Sequence, residues 1–291
     1  MGTRRTAGVG RTLLSGGGPS LVYHYTTMEG FLGIFGSRKL RATHLFFQND
    51  ASEFDTAREC AREALAEFAV SAARPRIRGD LRRVLDRLGP RYPQRVYSFS
   101  FSRLRDDLNL WRAYARGGGV AIGVPRRELE SHVQKHGIHF GRCEYDARKS
   151  RERMGTIAEN ALAVFHEGSS KRPAGWTRID EVEFQLDFQG SLLKNPMFRS
   201  EQEWRCLAFP DAMPHEIPEH FRVHRGRLVP FVEIPLPLAR NKRFWREVRV
   251  VLSPEASGNL ERVAVLRFLE SAVGAEIDVI GSRVPLRNVA A

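Results

Sequence analysis

Cysteine is scarce in this 291-residue chain: Cys60, Cys143 and Cys206 are odd in number and widely spaced. That argues against a disulfide framework and against a zinc site built from paired cysteines. Each is read as a small buried apolar residue. Lysine is also scarce (Lys39, Lys135, Lys149, Lys171, Lys194 and Lys242), so nearly all positive charge is arginine. No apolar run approaches the length needed to span a bilayer. The first twenty residues hold Arg4, Arg5 and Arg11, but only Leu13-Leu14 where a signal peptide needs an apolar core. There is no P-loop, no GxSxG elbow and no HExxH helix, and the nine histidines do not fall into metal-ligand spacing. The expectation is a cytoplasmic protein with no membrane partner and no metal.

What is present is charge of one sign. The net charge is +12, which invites a nucleic-acid reading because arginine releases counterions from phosphates. The densest stretch runs from Arg74 to Arg95. Within it, Leu81, Val84, Leu85 and Leu88 make one apolar stripe of a helix over 80–88, and the arginines become its solvated face. An arginine bias also arises from a GC-rich genome, and the solvated face is the favoured reading; a non-enzymatic nucleic-acid binder is kept as the alternative.

Residues 1–20, rich in Gly, Ser and Arg, read as a mobile tail, and 21–291 as a single domain. Thr26-x-x-Glu29 reads as a capping box for a helix over 27–37 that buries Phe31, Ile34 and Phe35. Asn49-Asp50 breaks a strand over 40–47, and Asp50 or Ser52 caps the helix that follows. Residues 95–102 alternate, with Tyr97, Phe99 and Phe101 on one face and Ser98, Ser100 and Ser102 on the other. A short helix over 106–115 carries Trp111 and Tyr114. Gly117-Gly118-Gly119 is a tight turn or close-packing site leading into a strand over 120–124. Helices follow over 125–134, 151–167, 180–193 and 254–273, with strands over 138–145, 203–209, 228–234, 247–252 and 276–281. Strands and helices without regular βαβ alternation predict an α+β fold: one domain with a mixed or split central sheet and helical insertions.

Two motifs far apart suggest chemistry. Tyr23-His24-Tyr25-Thr26 ends a strand just before a helix, where ligands tend to meet the chain. In Glu201-Gln202-Glu203-Trp204-Arg205, the two glutamates are expected on one strand face, with Arg205 and Arg199 as counter-charges. A histidine can hold a sugar hydroxyl, a tyrosine can stack on a flat leaving group, and a carboxylate can stabilise charge on an anomeric carbon. The plain alternatives are a structural histidine and an exposed edge of Glu–Arg pairs.

These segments resemble a bacterial family known as domain of unknown function 2971. The resemblance rests on Tyr23-His24-Tyr25-Thr26, Asn49-Asp50-x-x-Glu53-Phe54, Ser98-Phe99-Ser100, Asp106-Asp107 and Trp111-Arg112-x-Tyr114. It continues through Gly119 to Gly123, Glu201-x-Glu203-Trp204-Arg205 and Ser282-x-x-Pro285-Leu286-Arg287. A second resemblance is to the ADP-ribosyltransferase fold, whose ordered triad is matched by His24, the Ser98–Ser100 strand and Glu203. It implies NAD as substrate, with His24 on a ribose hydroxyl and Tyr25 or Tyr114 stacked on nicotinamide. Glu203 would stabilise the oxocarbenium-like state, and Glu201 would orient an acceptor. Tyr23, Ser98, Ser100, Trp111 and Arg205 would line the site. The implied setting is a bacterial toxin or phage-defence effector acting on a protein or nucleic-acid acceptor. A nucleotide or nucleoside hydrolase is a third reading.

Overall fold

The computed structural model describes residues 20–48, 59, 61–63, 65–67, 69–70, 75–87, 95–167, 177–213, 216–224, 226–237 and 241–285. The expected tail up to Pro19, the caps at Asn49, Asp50 and Ser52, Cys60, and the terminal Leu286-Arg287 lie outside them. The chain divides into two compact units. Segments 50–94 and 144–196 belong to one, and they interrupt the other in sequence; that second unit comprises 19–49, 95–143 and 197–291.

The first unit is helical in its described residues. It contains α2 (Pro75–Arg87), α5 (Ala147–Glu167) and α6 (Arg178–Gly190), with further helical residues between 59 and 70. Leu65, Leu81, Val84, Met154, Val182 and Leu186 form its core. Leu81, Val84 and Leu85 of the stripe read from the sequence are packed and Leu88 lies outside the described residues, while Arg82 and Arg83 are exposed as expected. Helix α6 starts on a reciprocal box: Thr177 accepts from the Asp180 backbone and Asp180 accepts from the Thr177 backbone.

The second unit is built on a ten-stranded sheet. Its strands are β1 (Leu21–Thr27), β2 (Lys39–His44), β3 (Tyr97–Ser102), β4 (Gly119–Pro125), β5 (His139–Arg142), β6 (Glu203–Ala208), β7 (Glu219–His224), β8 (Arg227–Pro235), β9 (Arg249–Leu252) and β10 (Asp278–Gly281). The main path runs β10-β9-β4-β1-β3-β2-β8-β7, and β6 pairs β3 and β5. Only β9 and β10 are parallel, so the sheet is mixed. Helix and sheet together agree with the expected mixed class.

Strand β3 is the pivot. It pairs β6 along its whole length. Its other edge is therefore shared: β2 takes the Tyr97–Ser98 end and β1 meets Ser102. Helix α1 (Met28–Ser37) connects β1 to β2 and buries Phe31, Ile34 and Phe35. Its cap is Thr27, one residue later than expected, and the Gly30 amide donates to Thr27 Oγ1 at 3.3 Å. One sheet face carries Val22, Phe99, Phe101, Cys206 and Ile122 into the main core with Phe31, Phe35, Trp245 and Leu269. The other face, around β1 and β4, packs Tyr23, Tyr25, Ala121 and Val251 with Trp111 of α3 (Leu108–Tyr114). The remaining helices are α4 (Arg126–Gln134), α7 (Lys242–Glu247) and α8 (Asn259–Val273).

Several boundaries differ for local reasons. The helix expected over 254–273 is a 3-10 turn at Pro254–Ala256 followed by α8, because Gly258 restarts it. No element was expected where β7 and α7 form. The glycine run is a turn with Gly117 and Gly118 at φ 76° and 101°, and a Cβ on Gly119 would lie 2.3 Å from the Thr26 carbonyl oxygen. No described helix is long and apolar enough to cross a membrane.

Candidate functional site

Alternation along β3 and its register with β6 decide which side chains meet. Ser100 faces Arg205 and Ser102 faces Glu203, while Phe99 and Phe101 face Cys206 and Trp204 on the opposite side. Tyr23 of β1 is level with Ser102, so Tyr23, Ser102 and Glu203 form one row across three strands. Glu203 and Arg205 are buried, at 4 % and 2 % exposure. Arg205 Nε donates to Glu203 Oε1 at 2.9 Å and its Nη2 to Oε2 at 3.3 Å, a two-pronged pair. Cys206 next to them is buried, and desolvation pushes its thiol well above the usual range.

Glu201 is placed otherwise than expected. It ends a 3-10 turn, Pro196–Glu201, and Gln202 sits in the left-handed region at φ 46° before β6 begins. Glu201 and Glu203 are therefore not neighbours on one strand face. Glu201 reaches α3 instead, where the Tyr114 hydroxyl donates to its Oε1 at 3.0 Å. Its carbonyl accepts from Ser102 Oγ at 2.6 Å. A polar chain thus links Tyr114, Glu201 and Ser102 to the row that contains Glu203.

His24 is not in that group. Its ring packs on Phe99 at 4.1 Å and on Phe101 at 6.1 Å between centroids. Those phenylalanines are on the face opposite Glu203, so His24 does not share a sheet face with Glu203 and the Ser98 or Ser100 side chain, as the ordered triad of the resemblance implied. Side-chain alternation is the physical reason: Tyr23 and Tyr25 take the Glu203 face and His24 the other. His24 meets Ser100 only through the backbone, its Nδ1 donating to the Ser100 carbonyl oxygen at 2.9 Å. A carbonyl only accepts, so the shared proton is on Nδ1. Burial pushes the ring's pKa down to about 4, against the opposing effect of the Ser100 bond, and the imidazole is neutral at pH 7. This bond fills the gap that β1 and β2 leave on the β3 edge. Gln48 does the same for the Ser98 carbonyl at 2.8 Å.

Trp111, expected to line the site, and Tyr25, expected to stack, are core. Trp111 is 1 % exposed, and its indole Nε1 donates to Asp106 Oδ1 at 2.7 Å. Tyr25 packs edge-on against Trp111 at 4.6 Å. Its hydroxyl donates to the Leu104 carbonyl at 3.0 Å and accepts from the Asp107 amide at 3.1 Å. Burial drives that phenol's pKa upward. Of the two tyrosines offered for stacking, Tyr114 alone retains partial exposure. The Ser98 hydroxyl lies on the Glu203 face but level with Thr43 of β2. Ser102 was read only as part of the polar strip, yet it is the serine opposite Glu203.

The basic stretch is partly neutralised. Arg87 pairs with Asp180 at 2.6 Å and Glu183 at 3.3 Å, Arg83 with Asp80 at 3.3 Å, and Arg95 with Asp211 at 3.2 Å. Among the described residues, no group of three or more His, Cys, Asp or Glu is placed to hold a metal.

The model of a family described as a protein of unknown function (DUF2971) matches residues 110–206. The match takes in Trp111, Tyr114, Glu201, Glu203 and Arg205, and the family resemblance is shown over that segment. Tyr23 to Thr26 lie before it. No curated protein and no solved structure matches the chain.

Proposed function

We propose that the Glu203 face is a site of glycosyl transfer from an NAD-type dinucleotide to a protein or nucleic-acid acceptor, as in a toxin or phage-defence effector. The observation that carries this reading is the setting of Glu203: a buried carboxylate, fixed by Arg205, in a row with Ser102 and Tyr23. A fixed carboxylate in a dry site stabilises developing positive charge far better than a solvated one. The reading no longer includes His24. A site that needs His24 and Glu203 in one cleft is incompatible with their places on opposite faces, so His24 becomes a residue that shapes the β3 edge.

The bond between nicotinamide nitrogen and the ribose anomeric carbon breaks, and nicotinamide leaves with the electron pair. Positive charge spreads over the ribose ring, where Glu203 opposes it. Arg205 holds the Glu203 carboxylate in place through two hydrogen bonds. Tyr114 offers a ring to the leaving base, and Glu201, oriented by Tyr114, takes the proton as the acceptor adds to the anomeric carbon.

The test is incubation with NAD labelled in its adenylate half, with and without bacterial extract. Nicotinamide release with label on protein or nucleic acid is the expected result. Release without a labelled acceptor assigns a glycohydrolase, the hydrolytic form of the same chemistry. No binding at millimolar NAD and no nicotinamide would end the enzymatic reading.

A further inference from the structure

The far edge of the sheet carries an arrangement that the Glu203 reading does not use. Ser98, Thr43, Phe231 and His220 occupy paired positions on β3, β2, β8 and β7, so their side chains form a row on one face. Arg41 is two residues before Thr43 and Arg222 two after His220, which puts both on that face. Both guanidinium carbons lie over the Phe231 ring, at 5.3 Å and 5.8 Å from its centroid. Arg222 Nη2 reaches across β8 and donates to Thr43 Oγ1 at 2.8 Å.

Three observations point to a missing anionic partner. Two cations share one ring, and neither is within ion-pair distance of a carboxylate among the described residues; Glu233, directly opposite Arg41 on β8, feels the Arg41 charge but is bound to Lys39 at 2.5 Å. Arg222 Nε is buried without a hydrogen-bond partner, and so is the hydroxyl of Ser98, a residue only 2 % exposed. Buried orphans of this kind are rare in folded proteins. Finally, burial and the neighbouring Arg41 charge hold the Arg222 pKa below its ordinary value, a penalty that a bound anion relieves.

We propose that this row binds a phosphate-type oxyanion carried by a small molecule. The donors match that chemistry. Arg222 Nε and the Arg41 fork supply charged N–H groups, which suit tetrahedral oxyanions. Thr43 accepts from Arg222 and keeps its own hydroxyl proton to donate, and Ser98 beside it adds a second hydroxyl. Arg41 is exposed and Arg222 partly so, which leaves the cationic end open to solvent. This inference does not rest on glycosyl transfer at Glu203.

Calorimetry of the full chain with inorganic pyrophosphate, and separately with a nucleoside diphosphate, tests it. Binding should weaken as ionic strength rises. Arg222→Gln and Arg41→Gln should each lower affinity about tenfold or more, as expected for loss of a charge-assisted bond. Arg243→Gln, an exposed arginine on α7 paired with Glu128 and Glu247, should leave it unchanged. If Arg222→Gln does not fold, exposed Arg41 decides. Equal affinity for both probes means that the anion alone is read; tighter nucleotide binding means that the nucleoside is read as well. No binding of either probe at millimolar concentration, or wild-type affinity in both arginine variants, would overturn the proposal.

Discussion

Glu203 and Arg205 point the same way from one strand, and their charged groups meet at 2.9 Å with almost no solvent contact. Removing one partner of a buried pair takes a counter-charge from the other, at a cost of up to roughly 3–5 kcal/mol. The pairing predicts that Glu203→Gln and Arg205→Met are each strongly destabilised, and that the double variant recovers part of the loss. Urea unfolding of the four proteins measures it. Additive losses would mean that the two side chains do not depend on each other, and activity of Glu203→Gln must be read at matched folded fraction.

Asp106 is the centre of a structural clasp. Its Oδ1 accepts from Trp111 Nε1 at 2.7 Å and from Ser282 Oγ at 2.6 Å, and its Oδ2 from the Arg283 amide at 2.7 Å. It therefore ties α3 to the chain that follows β10. Asp106→Ala should lower stability by roughly 2–4 kcal/mol, since hydrogen bonds to a charged group are worth about 1.5–3 kcal/mol each and do not add fully. Trp111 fluorescence should shift as the indole loses its acceptor. An unchanged melting temperature together with lost ligand binding would place Asp106 in a site instead.

Local pattern was legible, and long-range register was not. Tyr97, Phe99 and Phe101 alternating with three serines announced β3 and its two faces, and the stripe of Leu81 and Val84 announced α2. The face taken by His24 was unreadable, because it depends on how β1 meets β3, and a slip of one residue exchanges the faces. Gln202 carries no signal for its left-handed backbone, so Glu201 was misplaced onto β6. Strand β7 was missed because its apolar residues, Phe221 and Val223, are exposed at 57 % and 76 % while His220 and Arg222 turn inward over Phe231. That inversion also hid the cationic row.

The histidines give the protein a predictable response to acid. Burial lowers the pKa of His24 to about 4, and burial with the nearby Arg95 cation lowers that of His44 to about 4, from 6.5. His132 and His139 shift the same way, mainly through burial. Between pH 4 and 6.5 the unfolded chain thus binds more protons at His24 and His44 than the folded one. Stability from these groups is complete above pH 6.5 and is lost as pH falls toward 4, by up to about 1.4 kcal/mol per pH unit for each group. His24→Asn retains an N–H that can reach the Ser100 carbonyl but does not titrate. Urea unfolding at pH 7, 5.5 and 4.5, chosen to bracket roughly this window, should show the wild type losing more stability than His24→Asn, even if the variant starts lower. Equal losses in the two proteins would show that the His24 ring is not what acid attacks.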